Sequence, residues 1–192
     1  MRGYFGIGVE RISKTWNVGS LFRSAHAFGA SFVFTIDAEY KRNIGVQSDT
    51  SDTLGQLPFY SFPNINTLLL PENCSLVGIE LAESAVELPS FHHPSCATYV
   101  MGPERGSLSK KLLEKCDHVV RIPTRFCLNV GIAGAIVMYD RLKSIGHFSA
   151  KPTRPGGPIL NASTHKYGKP KFRKKIFEYK AIPPSIENDF GQ

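Results

Sequence analysis

The sequence predicts an α/β protein: a mostly parallel sheet with helices on both faces. Two observations carry this. Short apolar runs rich in β-branched and aromatic residues alternate along the chain with helical patterns. The length of 192 residues is enough for one substantial core but cramped for two full domains.

The elements follow in order. YFGIGVE at 4–10 reads as the first strand, and a helix follows from Asn17. Asn17 stands where an N-cap belongs and Gly29 where a helix stops. At 100° per residue Val18, Leu21, Phe22, Ala25 and Phe28 share one stripe, and Arg23 stands opposite it. SFVFTI at 31–36 is the second strand, with later strands at FYSF, SLVGIEL, CATYVM and HVVRI. Helices are expected near 64–70, 107–116 and 128–146, with Ser107 or Ser109 capping the second of these and Gly146 ending the third. From Lys151 the prolines and glycines of KPTRPGGPILNASTHKYGKPKFRKK forbid a long helix or a central strand.

Charge separates the same two regions. Residues 1–150 hold 14 Lys and Arg against 13 Asp and Glu, whereas 151–192 hold 9 against 3. A neutral body with a basic tail is how a nucleic-acid-binding arm looks. Lys166, Lys169, Lys171, Arg173, Lys174 and Lys175, interleaved with Tyr167 and Phe172, are the candidate RNA contacts within it. No apolar run reaches the ~18 residues of a membrane span, and the N-terminus lacks a secretory cleavage pattern. Four cysteines without a CxxC pair suit reduced thiols and a cytoplasmic location. No metal site stands out, and the adjacent His92 and His93 read as a surface loop.

In such sheets ligands sit at the carboxyl ends of the strands, so three loops draw attention. The first leads into the helix with Asn17 and Arg23. The second is MGPERGSLS at 101–109, where Gly102 and Gly106 allow close backbone approach and Glu104 offers a carboxylate. The third is RIPTRFCLN at 121–129, entering a helix whose first turns hold Gly131, Ala133 and Gly134. Those small residues suit either a flat ligand or tight packing against another helix. GIGVER lacks the third glycine of a dinucleotide fingerprint, and neither a P-loop nor a serine-hydrolase elbow is present.

Together the three loops resemble the three motifs of the SpoU (TrmH) family of RNA ribose 2′-O-methyltransferases, in the SPOUT superfamily. N-x-G-x-x-x-R-x-A-x-x-F-G is Asn17 to Gly29, G-x-E-x-G is Gly102 to Gly106, and Cys127-Leu128-Asn129 stands where the family usually has S-L-N. The resemblance spans residues 4–146 and leaves the basic arm outside. It implies a methyltransferase domain over 1–150, a C-terminal trefoil knot, a homodimer and bound S-adenosylmethionine. By the match Leu81, Gly102, Ile122, Cys127 and Leu128 hold the cofactor, while Arg23, Asn17, Glu104 and Asn129 line the reaction site, with Arg23 also touching RNA. The expected partner is RNA, tRNA ahead of rRNA, because no separate RNA-binding domain precedes this one. A thiol at 127 is a weaker donor than a hydroxyl, which implies tuning of that contact. A guanidinium is a poor base, so Arg23 is expected to bind phosphate and stabilise a developing alkoxide. A non-catalytic RNA-binding protein on the same fold is the rival reading.

Overall fold

The computed structural model describes residues 3–39, 57–146, 148–149 and 151–158. The sheet and helices lie in one compact unit ending at Phe148, and the chain from Ser149 forms a second. Within that second unit the described stretch 151–158 carries neither helix nor strand. The RNA contacts expected at Lys166, Lys169, Lys171, Arg173, Lys174 and Lys175 lie outside the described residues.

Seven strands are described: β1 Tyr4–Glu10, β2 Phe32–Ile36, β3 Phe59–Phe62, β4 Ser75–Ile79, β5 Val86–Glu87, β6 Cys96–Met101 and β7 His118–Arg121. They form one sheet in the order β3-β2-β1-β6-β4-β7-β5, and every pairing is parallel. Among the described residues three α-helices cover it: α1 Thr15–Ala27, α2 Lys110–Lys115 and α3 Val130–Ile145. The central β1, β2 and β6 are apolar at nearly every position because both faces are covered.

One core lies between the sheet and the α1–α3 pair, with Ile7, Leu21, Phe22, Val33, Tyr99, Val137 and Met138 buried in it. The other lies on the opposite face, where Phe34, Leu76, Val100, Leu108 and Leu112 pack beneath α2. Thus helices do cover both faces. The stripe expected on α1 is buried at Val18, Leu21, Phe22 and Ala25, with Phe28 partly so, and Arg23 is exposed. Helices α1 and α3 meet where Gly134 faces Leu21: a Cβ there would lie 2.2 Å from the Leu21 Cδ1. Gly131, where a Cβ would lie 3.1 Å from that of Ser20, and Gly134 therefore serve close helix packing.

Four local expectations change. Helix α1 begins at Thr15 after Lys14, not after Asn17, and no side chain of its own caps it. The stretch 64–70 makes only a 3-10 turn at Ile65–Thr67, stopped at Leu68 by extended backbone and opened by a capping box from Asn64. The two-residue β5 at the sheet edge was not foreseen, being too short for a period to register. His93 is no surface residue: it is 2% exposed and lies between the Tyr99 hydroxyl, 2.6 Å from Nδ1, and Asp140, 3.1 Å from Nε2. Two hydrogen-bond partners, which no sequence window shows, account for a histidine in the core. Among the described residues no helix is long and apolar enough to cross a membrane.

Candidate active site at the carboxyl ends of the strands

β1, β6 and β7 run on into the loops singled out from the sequence, and the structure brings the three loops together at one rim of the sheet. The reason α1 needs no cap of its own is Glu104. Its Oε1 accepts from the Lys14 amide at 3.0 Å, and its Oε2 accepts from the Ser13 amide and hydroxyl, each at 3.3 Å. A carboxylate 90 residues along the chain thus meets the free amides and the positive end of α1. This frees Asn17 for another task.

The Asn17 Nδ2 donates to Glu104 Oε1 at 3.0 Å, while its Oδ1 accepts from Asn129 Nδ2 at 2.9 Å. The Asn129 Oδ1 in turn accepts from the Gly131 amide at 2.9 Å and so caps α3. Each amide has a defined orientation because the chain of bonds starts at a donor that cannot be reversed, the Gly131 N–H, and ends at an acceptor, the carboxylate. The first turn of α1, the loop after β6 and the start of α3, far apart in sequence, are stitched by Asn17, Glu104 and Asn129.

Burial alone raises the Glu104 pKa, but the hydrogen bonds from Asn17, its own loop backbone, Lys14 and Ser13 outweigh it and hold the carboxyl below its usual value. The group is therefore an anion with both oxygens engaged. It can orient its neighbours, but to take a proton it would have to give up a bond.

Beside this network lies a cavity with apolar walls from Ile79, Met101, Val130 and Ala133. All five positions expected at the cofactor, Leu81, Gly102, Ile122, Cys127 and Leu128, line it, and so does Glu104. Gly106, also on the lining, has a φ of +102°, a conformation that side chains rarely adopt, and a Cβ there would meet nothing within 4 Å. Asn17, Asn129 and Arg23 are not on the lining. Arg23 stands on the exposed face of α1, two turns beyond Asn17.

Two carboxylates of this rim escaped the sequence reading. Glu80 Oε2 accepts from the Leu108 amide at 2.7 Å, and its Oε1 accepts from the Leu81 amide at 3.0 Å. Glu10, 3% exposed, accepts from the Ser109 amide at 2.8 Å and the Ser109 hydroxyl at 2.5 Å. With Glu104 they fasten the loop 102–109 to the ends of β1 and β4. A signal existed: GVE and GIE each end an apolar strand in a glutamate, and a charge there needs a partner.

The comparisons agree with this arrangement. A model of the SpoU rRNA Methylase family matches residues 5–139. The 23S rRNA (guanosine-2′-O-)-methyltransferase RlmB of Blochmanniella floridana is 27% identical over 142 residues, 70% of this chain and 56% of that protein. Among solved structures, the SpoU methyltransferase AviRb from Streptomyces viridochromogenes, in complex with AdoMet, superposes with a TM-score of 0.67. It is 23% identical, with 74% of this chain and 58% of that one covered. A structure addressing 2-OH methylation of C/U34 on tRNA gives a TM-score of 0.63 at 15% identity, covering 74% of this chain and 91% of that one. The chain thus spans a little over half the length of RlmB and of AviRb. Matched along most of the sheet and all three loops, the chain belongs to the SpoU rRNA methylase family.

Proposed function

We propose that the protein transfers a methyl group from S-adenosylmethionine to a ribose 2′-hydroxyl of RNA, with tRNA as the substrate class. The observation that carries this reading is the meeting of Asn17, Glu104 and Asn129, from three segments, at the edge of the apolar cavity. The AdoMet in AviRb supports the cofactor, the activity in RlmB's name supports a ribose acceptor, and the C/U34 structure supports tRNA.

The cavity fits the cofactor chemically. Leu81, Ile122 and Leu128 offer apolar walls to a base, and the carboxylates Glu80 and Glu104 on the lining suit a sulfonium cation. When bound, S-adenosylmethionine supplies an electrophilic methyl group.

What remains for the chain is to align the hydroxyl and favour loss of its proton. Glu104 acts as a positioning residue, since both its oxygens are engaged, and through Asn17 it fixes Asn129. Arg23 is the group assigned to touch the acceptor RNA. Its planar fork can hold the phosphate beside the target ribose and stabilise the developing alkoxide. Cys127, exposed at the cavity, tunes cofactor contact.

To the same reading belong the trefoil knot implied for the C-terminal part of the domain, a homodimer, RNA contact by the basic segment after Lys151, and a cytosolic place of action. The dimer is supported by the outward face of α3, where Ile132, Ile136, Tyr139 and Ile145 are exposed, as is Trp16 of α1. The four cysteines, all unpaired, suit the cytosol.

The experiment is ribose-methylation mapping after incubation with S-adenosylmethionine and either tRNA or rRNA. Methylation of tRNA ribose is expected. Transfer to rRNA alone would remove the substrate class, and RNA binding without transfer would leave the non-catalytic reading. Arg23→Lys should keep the fold and dimer and lose roughly 100-fold in transfer, the scale of one lost electrostatic stabiliser; near-normal turnover would sink its assigned role.

A further inference from the structure

A second cleft shares Pro103 and Glu104 with the cofactor cavity, so that one wall of the loop 102–109 stands between the two. Its remaining lining includes Arg11, Ser13, Lys14, Glu39 and Arg105. We infer that this cleft holds a backbone phosphate of the substrate RNA, gripped by Arg11, Lys14 and Arg105; the inference rests on the RNA methyltransferase reading.

The charges on the lining are three cations and two carboxylates, but the two signs are not equally available. The Glu104 oxygens are answered by donors of Ser13, Lys14 and Asn17. Glu39 is exposed at the rim. Lys14 and Arg105 are exposed as well, and among the described residues neither side chain has an ion-pair partner. With Arg11 paired to Glu10 and Glu104 answered by its donors, Lys14 and Arg105 stand as two exposed cations against the one exposed carboxylate of Glu39.

Arg11 is the more telling residue. Its φ is 50°, in the left-handed region where glycine is relaxed and a long side chain is strained. An arginine is nevertheless kept there. Its Nη2 donates to the Ser107 carbonyl at 2.7 Å, which fixes the direction of the fork. Its Nε is buried without a hydrogen-bond partner and forms an ion pair with Glu10 Oε2 at 3.9 Å. The guanidinium is thus aimed, and with the side chain 38% exposed its remaining N–H groups can meet an added anion.

Three cations on two loops, reaching one cleft from different sides, suit an anion with oxygens in several directions. A tetrahedral phosphate has that form, whereas a carboxylate presents two oxygens in one plane. A phosphate held by these cations beside Pro103 also places the adjoining sugar at the wall of the cofactor cavity, where the acceptor hydroxyl is required.

The test measures the affinity of the full chain for unfractionated tRNA at several salt concentrations. Wild type is compared with Arg11→Gly, Lys14→Ala, Arg105→Ala and the Lys14→Ala/Arg105→Ala double variant, and thermal melts verify folding. The double variant should bind about tenfold more weakly at physiological salt. Its slope of log affinity against log salt should flatten by about 0.7 for each phosphate that is no longer neutralised. Arg11→Gly, which suits the backbone at that position, should also weaken binding. If the double variant and Arg11→Gly keep wild-type affinity and slope, the cleft is overturned, and methyl transfer by wild type then leaves the enzyme reading standing. Flattened slopes with no transfer by wild type would remove the enzyme reading and keep the cleft as an RNA site. A wild type that binds no RNA removes both.

Discussion

The two rims of the sheet are held by groups of opposite charge. At the C-terminal ends of β1, β4 and β6, the carboxylates of Glu10, Glu80 and Glu104 collect amides of the connecting loops. At the N-terminal ends, the Arg141 guanidinium collects carbonyls: Pro94 at 2.6 Å, Ser95 at 2.7 Å and Tyr4 at 3.3 Å. The difference follows from direction. At the first rim the chain enters α1 and α2, whose opening turns present unsatisfied N–H groups. At the second, it arrives through segments with spare carbonyls. The first rim stays open, with Lys14, Arg105 and Cys127 exposed, while the second is shut, with Arg141 5% and His93 2% exposed. One end is built to be entered and the other to hold the sheet.

Removing the cation at the closed rim should have the largest effect on stability. Arg141→Ala leaves the carbonyls of Tyr4, Pro94 and Ser95 and the Tyr99 hydroxyl without this donor and should cost about 3 kcal/mol or more in denaturant unfolding, at about 1.5–3 kcal/mol for each hydrogen bond to a charged group. S-adenosylmethionine affinity per folded molecule should change little, and a loss of affinity larger than the loss of stability would show that the rims are coupled. Glu10→Gln, at the open rim, keeps the shape but weakens two charge-assisted bonds to Ser109, and should cost about 1–3 kcal/mol. Here cofactor affinity should fall with stability, because the loop 102–109 loses an anchor.

Acid should release the rims at different pH. Burial lowers the His93 pKa, and the nearby Arg141 and His92 lower it further, against the raising effect of Asp140. The unfolded histidine binds its proton first, so this stability is complete above the usual 6.5 and is lost as pH falls from there through the depressed folded value. Glu104, also held below its usual 4.5, contributes stability that is lost only as pH falls below that value. Amide exchange should therefore quicken near His93 at milder acidity than near Glu104. The single tryptophan, Trp16, sits 63% exposed beside the Glu104 contacts and offers a fluorescence check of the second step. A simultaneous release would make the two rims one cooperative unit.

The smallest effect is expected from Cys127→Ser, which restores the family's usual donor at an exposed position of the cavity. Calorimetry should give S-adenosylmethionine affinity equal to or a few-fold better than wild type, and a marked loss would mean that the thiol's size rather than its polarity matters.

Sheet and helices were legible because their signals are local: apolar runs such as FVFTI, the one-sided stripe of α1, the capping Ser109 and the stop at Gly146. The loops of the site were legible through their motif spacing. What was not legible depends on partners distant in the chain. Asn17 looks like a cap until Glu104 meets the amides of the preceding residues and takes the cap's place. His93 looks exposed until Tyr99 and Asp140 close over it. Arg11 carries no sign in its letters of a left-handed backbone.

The bond from Asn129 to Asn17 joins residues 112 apart, and β1, at the middle of the sheet, pairs with β6, which begins at Cys96. Such long loops close slowly, and their entropy is lost before any contact rewards it. On the ribosome the first helix emerges long before its partners do. A nascent chain released before α3 would carry Asn17 without the asparagine that bonds to it. The order of synthesis thus leaves the network of Asn17, Glu104 and Asn129 incomplete until α3 has formed.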